Sequence, residues 1–205
     1  MITLIDYNAG NLTSVRLALE TVGATANITA EPDAVRRAKR VIFPGVGAAQ
    51  SAMDYLKQSA LDEAIRDVVK IGVPFMGICL GMQILLDRSE EDDGTETLGQ
   101  ISGEVKKFMP DNRTIKVPEI GWNNVKIEQT HPIFDGIADE SDFYFVHSYY
   151  PAPLNPDHWI GSTQYAAVRF ASVIGRDNLI ATQFHPEKSG KVGLKMIENF
   201  INWNP

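Results

Sequence analysis

Three stretches of the chain carry side chains suited to covalent chemistry. The first is GICLG, residues 77–81, around Cys79, which is the only cysteine. It follows an apolar run that reads as a strand and precedes one that reads as a helix. That is the setting of a nucleophile elbow, with sulfur in place of a hydroxyl. Side chains at Gly77 or Gly81 would crowd so sharp a turn. The helix expected from Leu80 aims free N–H groups and its positive end at the sulfur, which favours thiolate. The second stretch is QFHPEKSG, where His185 ends the apolar run LIATQF and Glu187 stands two residues on. In an extended segment residues i and i+2 project to one side. Glu187 can then hold the imidazole through its second nitrogen, as the third member of a triad does. The third is FPGVG, residues 43–47, a strand end followed by a glycine-rich loop. Its backbone N–H groups can approach a ligand closely. Together with the Leu80 N–H they could form an oxyanion hole. Each stretch alone has a plainer reading, as a buried filler thiol, a turn, and a strand-to-helix connection. Their combination favours chemistry.

These groups need a scaffold to bring them together. In the first half, strands are expected at residues 2–6, 25–29, 40–43 (stopping at Pro44) and 73–79. Between them fall a helix from an Asn11 N-cap to Gly23 and a helical pattern over 56–69, with a further helix over 80–87. This alternation predicts a parallel sheet with helices on both faces. In the second half, short runs at 100–108, 122–128, 142–149, 166–174 and 179–183 predict antiparallel or mixed strands added to that sheet. A last helix spans about 189–203. The acidic patch RSEEDDGTET, residues 88–97, reads as a solvated loop. The fold class is therefore α/β: an open, mostly parallel central sheet, helices on both faces, and antiparallel strands in the second half. At 205 residues a single domain is expected over 1–205.

Composition narrows the function. With 19 Lys+Arg against 26 Asp+Glu the formal charge is −7, and no basic run offers a face to a nucleic-acid backbone. The longest uncharged stretch, 71–86, falls short of the ~20 residues that span a bilayer. No signal peptide is visible, and a lone cysteine fits a reducing compartment, so a cytoplasmic protein is expected. No metal-ligand spacing, GxGxxG or P-loop occurs, so neither metal nor cofactor is expected.

Taken together, GICLGMQ, QFHPEKS and PGVG, in this chain, resemble the class I glutamine amidotransferases of the Cys-His-Glu type. The resemblance covers essentially the whole sequence. The finer matches DYNAGN (6–11), PGVGA (44–48), PEIGWN (118–123), FVHSYY (145–150) and HPEKSG (185–190) resemble the branch that serves a two-subunit synthase of histidine biosynthesis. The resemblance implies that Cys79 attacks the side-chain amide of L-glutamine, with His185 as base and acid and Glu187 as its orienter. It implies an oxyanion hole of the Leu80 N–H and, after a peptide reorientation, the Val46 N–H. It places Gly47, Gln83, Glu91 and the backbone of Ser148 and Tyr149 around the substrate. It assigns Asn11, Pro118, Trp122, Asn123, Tyr144 and Lys188 to the interface with a (β/α)₈ cyclase subunit that receives the ammonia. A plain structural reading of Trp122 makes it a core anchor, and Lys188 a solvated charge. Three other readings stay open at this point: a non-catalytic module using Cys79, a stand-alone γ-glutamyl hydrolase, and a glutaminase subunit of another synthase.

Overall fold

In the computed structural model residues 1–8, 12–110 and 115–205 are described. The first half runs β1 (Ile2–Ile5), α1 (Leu12–Thr21), β2 (Ala26–Thr29), α2 (Pro32–Arg36), β3 (Val41–Gly45), α3 (Ala49–Gln58), α4 (Leu61–Lys70), β4 (Phe75–Cys79) and α5 (Leu80–Gln83). The second half adds β5 (Arg88–Ser89), β6 (Thr95–Glu96), β7 (Gly103–Lys107), β8 (Glu119–Ile127), β9 (Ser141–His147), β10 (Tyr149–Pro153), β11 (Trp159–Tyr165), β12 (Val168–Arg176), β13 (Leu179–Thr182) and α6 (Gly190–Asn202).

The main sheet has the order β2-β1-β3-β4-β13-β12-β11-β8-β9. From β2 to β13 neighbours run parallel; from β13 to β9 they run antiparallel. The inner parallel strands β1, β3, β4 and β13 are buried along their whole length because both faces are covered, whereas the edge strand β2 is partly exposed. Alternate residues serve opposite cores. Ile5, Val41, Phe43 and Phe75 pack with Met53, Leu56, Ile65 and Val68 of α3 and α4. Leu4, Ile42, Met76 and Ile78 pack with Val15 and Leu19 of α1 and with Met196, Ile197 and Phe200 of α6. Among the described residues, no helix is long and apolar enough to cross a membrane.

Several expectations need correction. The strand expected to stop at Pro44 continues to Gly45. Its pairing with β1 ends at Leu4–Ile42, so Pro44, whose nitrogen carries no proton, lies beyond that ladder while still in register with Ile78 of β4. The helical pattern over 56–69 is broken at Ala60, which has φ 58°. The Ser59 hydroxyl donates to the Tyr55 carbonyl at 2.8 Å and closes α3 there. Spacing alone does not register a left-handed residue that is not glycine. The helix expected over 80–87 is a single turn, because the carbonyls of Ile84, Leu85 and Leu86 accept from the N–H groups of Leu98, Gln100 and Gly99, each at 2.8 Å, and not from a further helical turn. Not all the second-half strands extend the main sheet. β10, β7, β5 and β6 form a separate four-stranded sheet. The acidic patch belongs to it: Ser89, Thr95 and Thr97 are buried, while the carboxylates between them face outward or, for Glu91, into the site. β11 has no counterpart among the expected strands. The N-cap assigned to Asn11 lies outside the described residues, whereas Gly23 does adopt the left-handed conformation, φ 77°, that ends a helix.

Candidate active site

Strand register assembles the site. On one side of β4, Gly45 of β3 lies opposite Cys79; on the other, Thr182 of β13 lies opposite Ile78. The three adjacent strands therefore deliver Val46, Cys79 and the segment 183–185 to one edge, at their carboxyl ends, where open α/β sheets bind ligands. Val46, Gly47, Cys79, Leu80, Gln83, Glu91, Pro118, Val146, His147, Ser148, Tyr149 and His185 line a cavity of about 320 Å³ there.

Cys79 sits at φ 55°, ψ −111°. A residue with a side chain is held in that sparsely populated region only where its surroundings fix it. The glycines explain how. A Cβ on Gly81 would lie 2.0 Å from the Phe43 carbonyl oxygen, and one on Gly77 would lie 2.5 Å from the Gly81 oxygen. The turn therefore packs backbone against backbone, and Cys79 is the residue that precedes the first N–H groups of α5. These are free of intrahelical partners by position. Because α5 is one turn long, no long-helix dipole points at Cys79.

His185 follows β13, and its Nδ1 is 2.8 Å from Glu187 Oε1. The pair is built on a 3₁₀ turn, Pro186–Lys188, not on the extended segment expected from sequence. The Ser189 hydroxyl donates to the His185 carbonyl at 2.7 Å and accepts from the Tyr144 N–H at 3.0 Å, which fixes the turn to β9. Both side chains of the pair are almost wholly buried. Among the described residues, His185 Nε2 has no hydrogen-bond partner. Burial opposes the imidazolium, but the neighbouring Cys79 sulfur and then the Glu187 carboxylate outweigh it and push the His185 pKa up to about 10. A raised imidazole pKa next to a thiol sulfur suits the base of a nucleophile–base pair.

Gln83 lies one turn beyond Cys79, with its amide nitrogen 3.0 Å from both the Tyr149 carbonyl and Gln183 Oε1. The Ser148 carbonyl accepts from the Phe108 N–H at 3.0 Å. Glu91 reaches the cavity from the second sheet and accepts from the Ala49 N–H at 2.7 Å. Burial raises its pKa; the Ala49 bond opposes this and the nearby Asp92 adds to it. Among the described residues, no group of three or more His, Cys, Asp or Glu side chains is placed to hold a metal ion.

The class-I glutamine amidotransferase family matches residues 3–203. The chain belongs to this family. Its fold agrees: the structure of PurLQS from Thermotoga maritima superposes with a TM-score of 0.75 at 18% identity, covering 98% of this chain and 97% of that one. Close relatives are an imidazole glycerol phosphate synthase subunit HisH of Dehalococcoides mccartyi strain CBDB1, 48% identical over 98% of this chain and 96% of its own, and one of Neisseria gonorrhoeae, 46% identical over 98% of each.

In this glutamine amidotransferase the six residues assigned to a partner interface lie in different settings. Asn11 is outside the described residues. Pro118 is on the cavity wall. Trp122 is not a core anchor: it is 58% exposed and packs edge-on against Tyr144, its register partner on β9, at 6.0 Å between ring centres. Asn123 donates to Glu119 Oε1 at 2.8 Å, and Lys188 is exposed on the 3₁₀ turn that carries Glu187.

Two residues that lie inside the quoted motifs but carry no assigned role also stand out. Gln183 is fully buried, and its amide nitrogen is 3.7 Å from the Cys79 sulfur. The signal was present, since it stands two residues before His185 on the same run. His147, also buried, has Nδ1 2.7 Å from the Tyr149 carbonyl and Nε2 3.0 Å from Glu119 Oε2. It buttresses the wall formed by 148 and 149.

Proposed function

We propose that this amidotransferase is the glutaminase subunit of an imidazole glycerol phosphate synthase, hydrolysing L-glutamine and handing ammonia to a (β/α)₈ cyclase subunit in the cytoplasm. The observation that carries the chemistry is the strained Cys79 elbow sharing one cavity with the buried His185–Glu187 pair. The full-length similarity to HisH subunits supports the choice of synthase.

The reaction runs as follows. The Cys79 sulfur adds to the carboxamide carbon of glutamine, and the carbonyl oxygen becomes an oxyanion facing the Leu80 N–H. Protonated His185 gives its proton to the amide nitrogen as the C–N bond breaks, so ammonia leaves and a γ-glutamyl thioester remains. His185, now neutral, takes a proton from water as the water attacks the thioester. Glutamate departs and the sulfur is restored. Glu187 holds the ring and offsets its charge at each transfer. Glu91 pairs with the substrate ammonium, and Gln83, Gly47, Ser148 and Tyr149 shape the place for its amino-acid end. Trp122, Tyr144, Asn123, Pro118 and Lys188 form the docking rim, and the family likeness assigns Asn11 to the same contact. No cofactor enters any step.

Isolation from the native cell tests the reading. The chain should bring down a (β/α)₈ protein of about 250 residues, and glutamate release from glutamine should be slow for the free chain and rise steeply with partner and acceptor ligand together. Full activity of the free chain would favour the stand-alone hydrolase. Capture of a different synthase subunit would transfer the chain to another pathway.

A further inference from the structure

A tetrahedral oxyanion at the Cys79 site calls for more than one N–H donor. The Leu80 N–H is one. Val46 lines the same cavity, but its N–H donates instead to the Tyr7 hydroxyl at 2.7 Å. The same hydroxyl donates to the Val46 carbonyl, also at 2.7 Å. One side-chain oxygen therefore clamps both backbone groups of the residue. Tyr7 itself is buried, with 4% exposed, stacks obliquely on Phe43 at 5.0 Å, and is not among the cavity-lining residues. The Val46 N–H is thus turned out of the cavity and held by a group behind the wall. Burial, against the Val46 bond and with a smaller push from Cys79, raises the Tyr7 pKa to about 12, so the hydroxyl keeps the proton that this double role needs.

Resting on the function proposed above, we propose that Tyr7 is a positioning residue for the oxyanion hole: its hydroxyl latches the Gly45–Val46 peptide away from the substrate, and turnover requires this latch to open. The flanking residues permit the change. Turning the Gly45–Val46 peptide rotates Gly45 ψ, which a glycine allows at modest cost, together with Val46 φ, and Gly47, already at φ 98°, gives the chain freedom on the far side of Val46. Once turned, the Val46 N–H joins the Leu80 N–H at the oxyanion.

Tyr7→Phe tests this, because it removes the oxygen and keeps the ring on Phe43. In the latched state the variant leaves a buried N–H and carbonyl without their partner, which disfavours that state by about tenfold. Glutaminase kcat of the free chain should rise about tenfold with KM for glutamine little changed, and the stimulation by partner should shrink by the same factor. Hydrogen exchange of the Val46 amide should quicken in Tyr7→Phe relative to its β3 neighbours, which reads the latch without relying on activity. An unchanged or lower free-chain kcat together with unchanged Val46 exchange overturns the latch while wild-type stimulation by partner still stands. Absence of glutaminase activity in the wild-type complex would instead overturn the proposed function. A melting temperature matching wild type separates either result from misfolding.

Discussion

Cys79→Ala in the complex should lower glutamine-dependent turnover by about 10⁶-fold, the size of loss seen when a covalent nucleophile is removed, and leave synthesis from added ammonium salts near the wild-type rate. The two halves follow from different parts of the structure. The sulfur is the only atom of the cavity placed to form a thioester, and Cys79 is the only cysteine, so nothing replaces it. Trp122 and Tyr144, proposed above to meet the partner, lie on β8 and β9, and neither lines the cavity around Cys79. Alanine is smaller than cysteine and adds nothing to the crowded turn between Gly77 and Gly81. Parallel assays with glutamine and with ammonia on one preparation decide the matter. If the ammonia-dependent rate falls as well, the substitution has disturbed folding or docking, and the loss says nothing about the nucleophile.

His185 and Glu187 should differ in a definite order. His185→Ala removes the base, the acid and the partner of the thiolate together, so its loss should approach that of Cys79→Ala. Glu187→Gln keeps a hydrogen-bonding group 2.8 Å from Nδ1 but removes the charge that supports the imidazolium. Its loss should be about two orders of magnitude milder, the margin that separates an orienting carboxylate from the residues it serves. The sign of the pH effect follows. Glu187 is one of the groups that raise the His185 pKa, so its neutral replacement should move the acid-form limb of the rate profile to lower pH. Steady-state rates of both variants across pH supply the check. Equal losses, or an unmoved profile in Glu187→Gln, would contradict the roles given to the pair.

Much of this site can be read from sequence, because its parts stand at the ends of apolar runs. GICLG, FPGVG and QFHPEKSG each announce a strand that stops at a special turn, and parallel pairing of those strands does the rest. What sequence does not carry is the tertiary partnership of the side chains. Gln183 reads as one more strand residue until β4 places the Cys79 sulfur beside it. Tyr7 stands inside the motif DYNAGN without a role of its own until β3 brings Val46 to its hydroxyl. The acidic patch reads as a loop because its charges dominate its composition, whereas Ser89, Thr95 and Thr97 are buried and Glu91 turns into the cavity. The helix expected after Cys79 shortens for a similar reason. Ile84, Leu85 and Leu86 suit a helix by propensity, but their carbonyls are taken by the N–H groups of residues 98–100, a tertiary pairing that local sequence does not carry.

The central claim, that glutamine is consumed at Cys79, is tested most directly by covalent trapping. A glutamine-like electrophile, such as a diazoketone amino acid, is added to the complex and the modified peptide is identified by mass spectrometry. The account predicts one adduct per chain, on Cys79, blocked by excess glutamine and absent from Cys79→Ala. An adduct on any other residue, or no adduct at saturating reagent with the partner present, would contradict it.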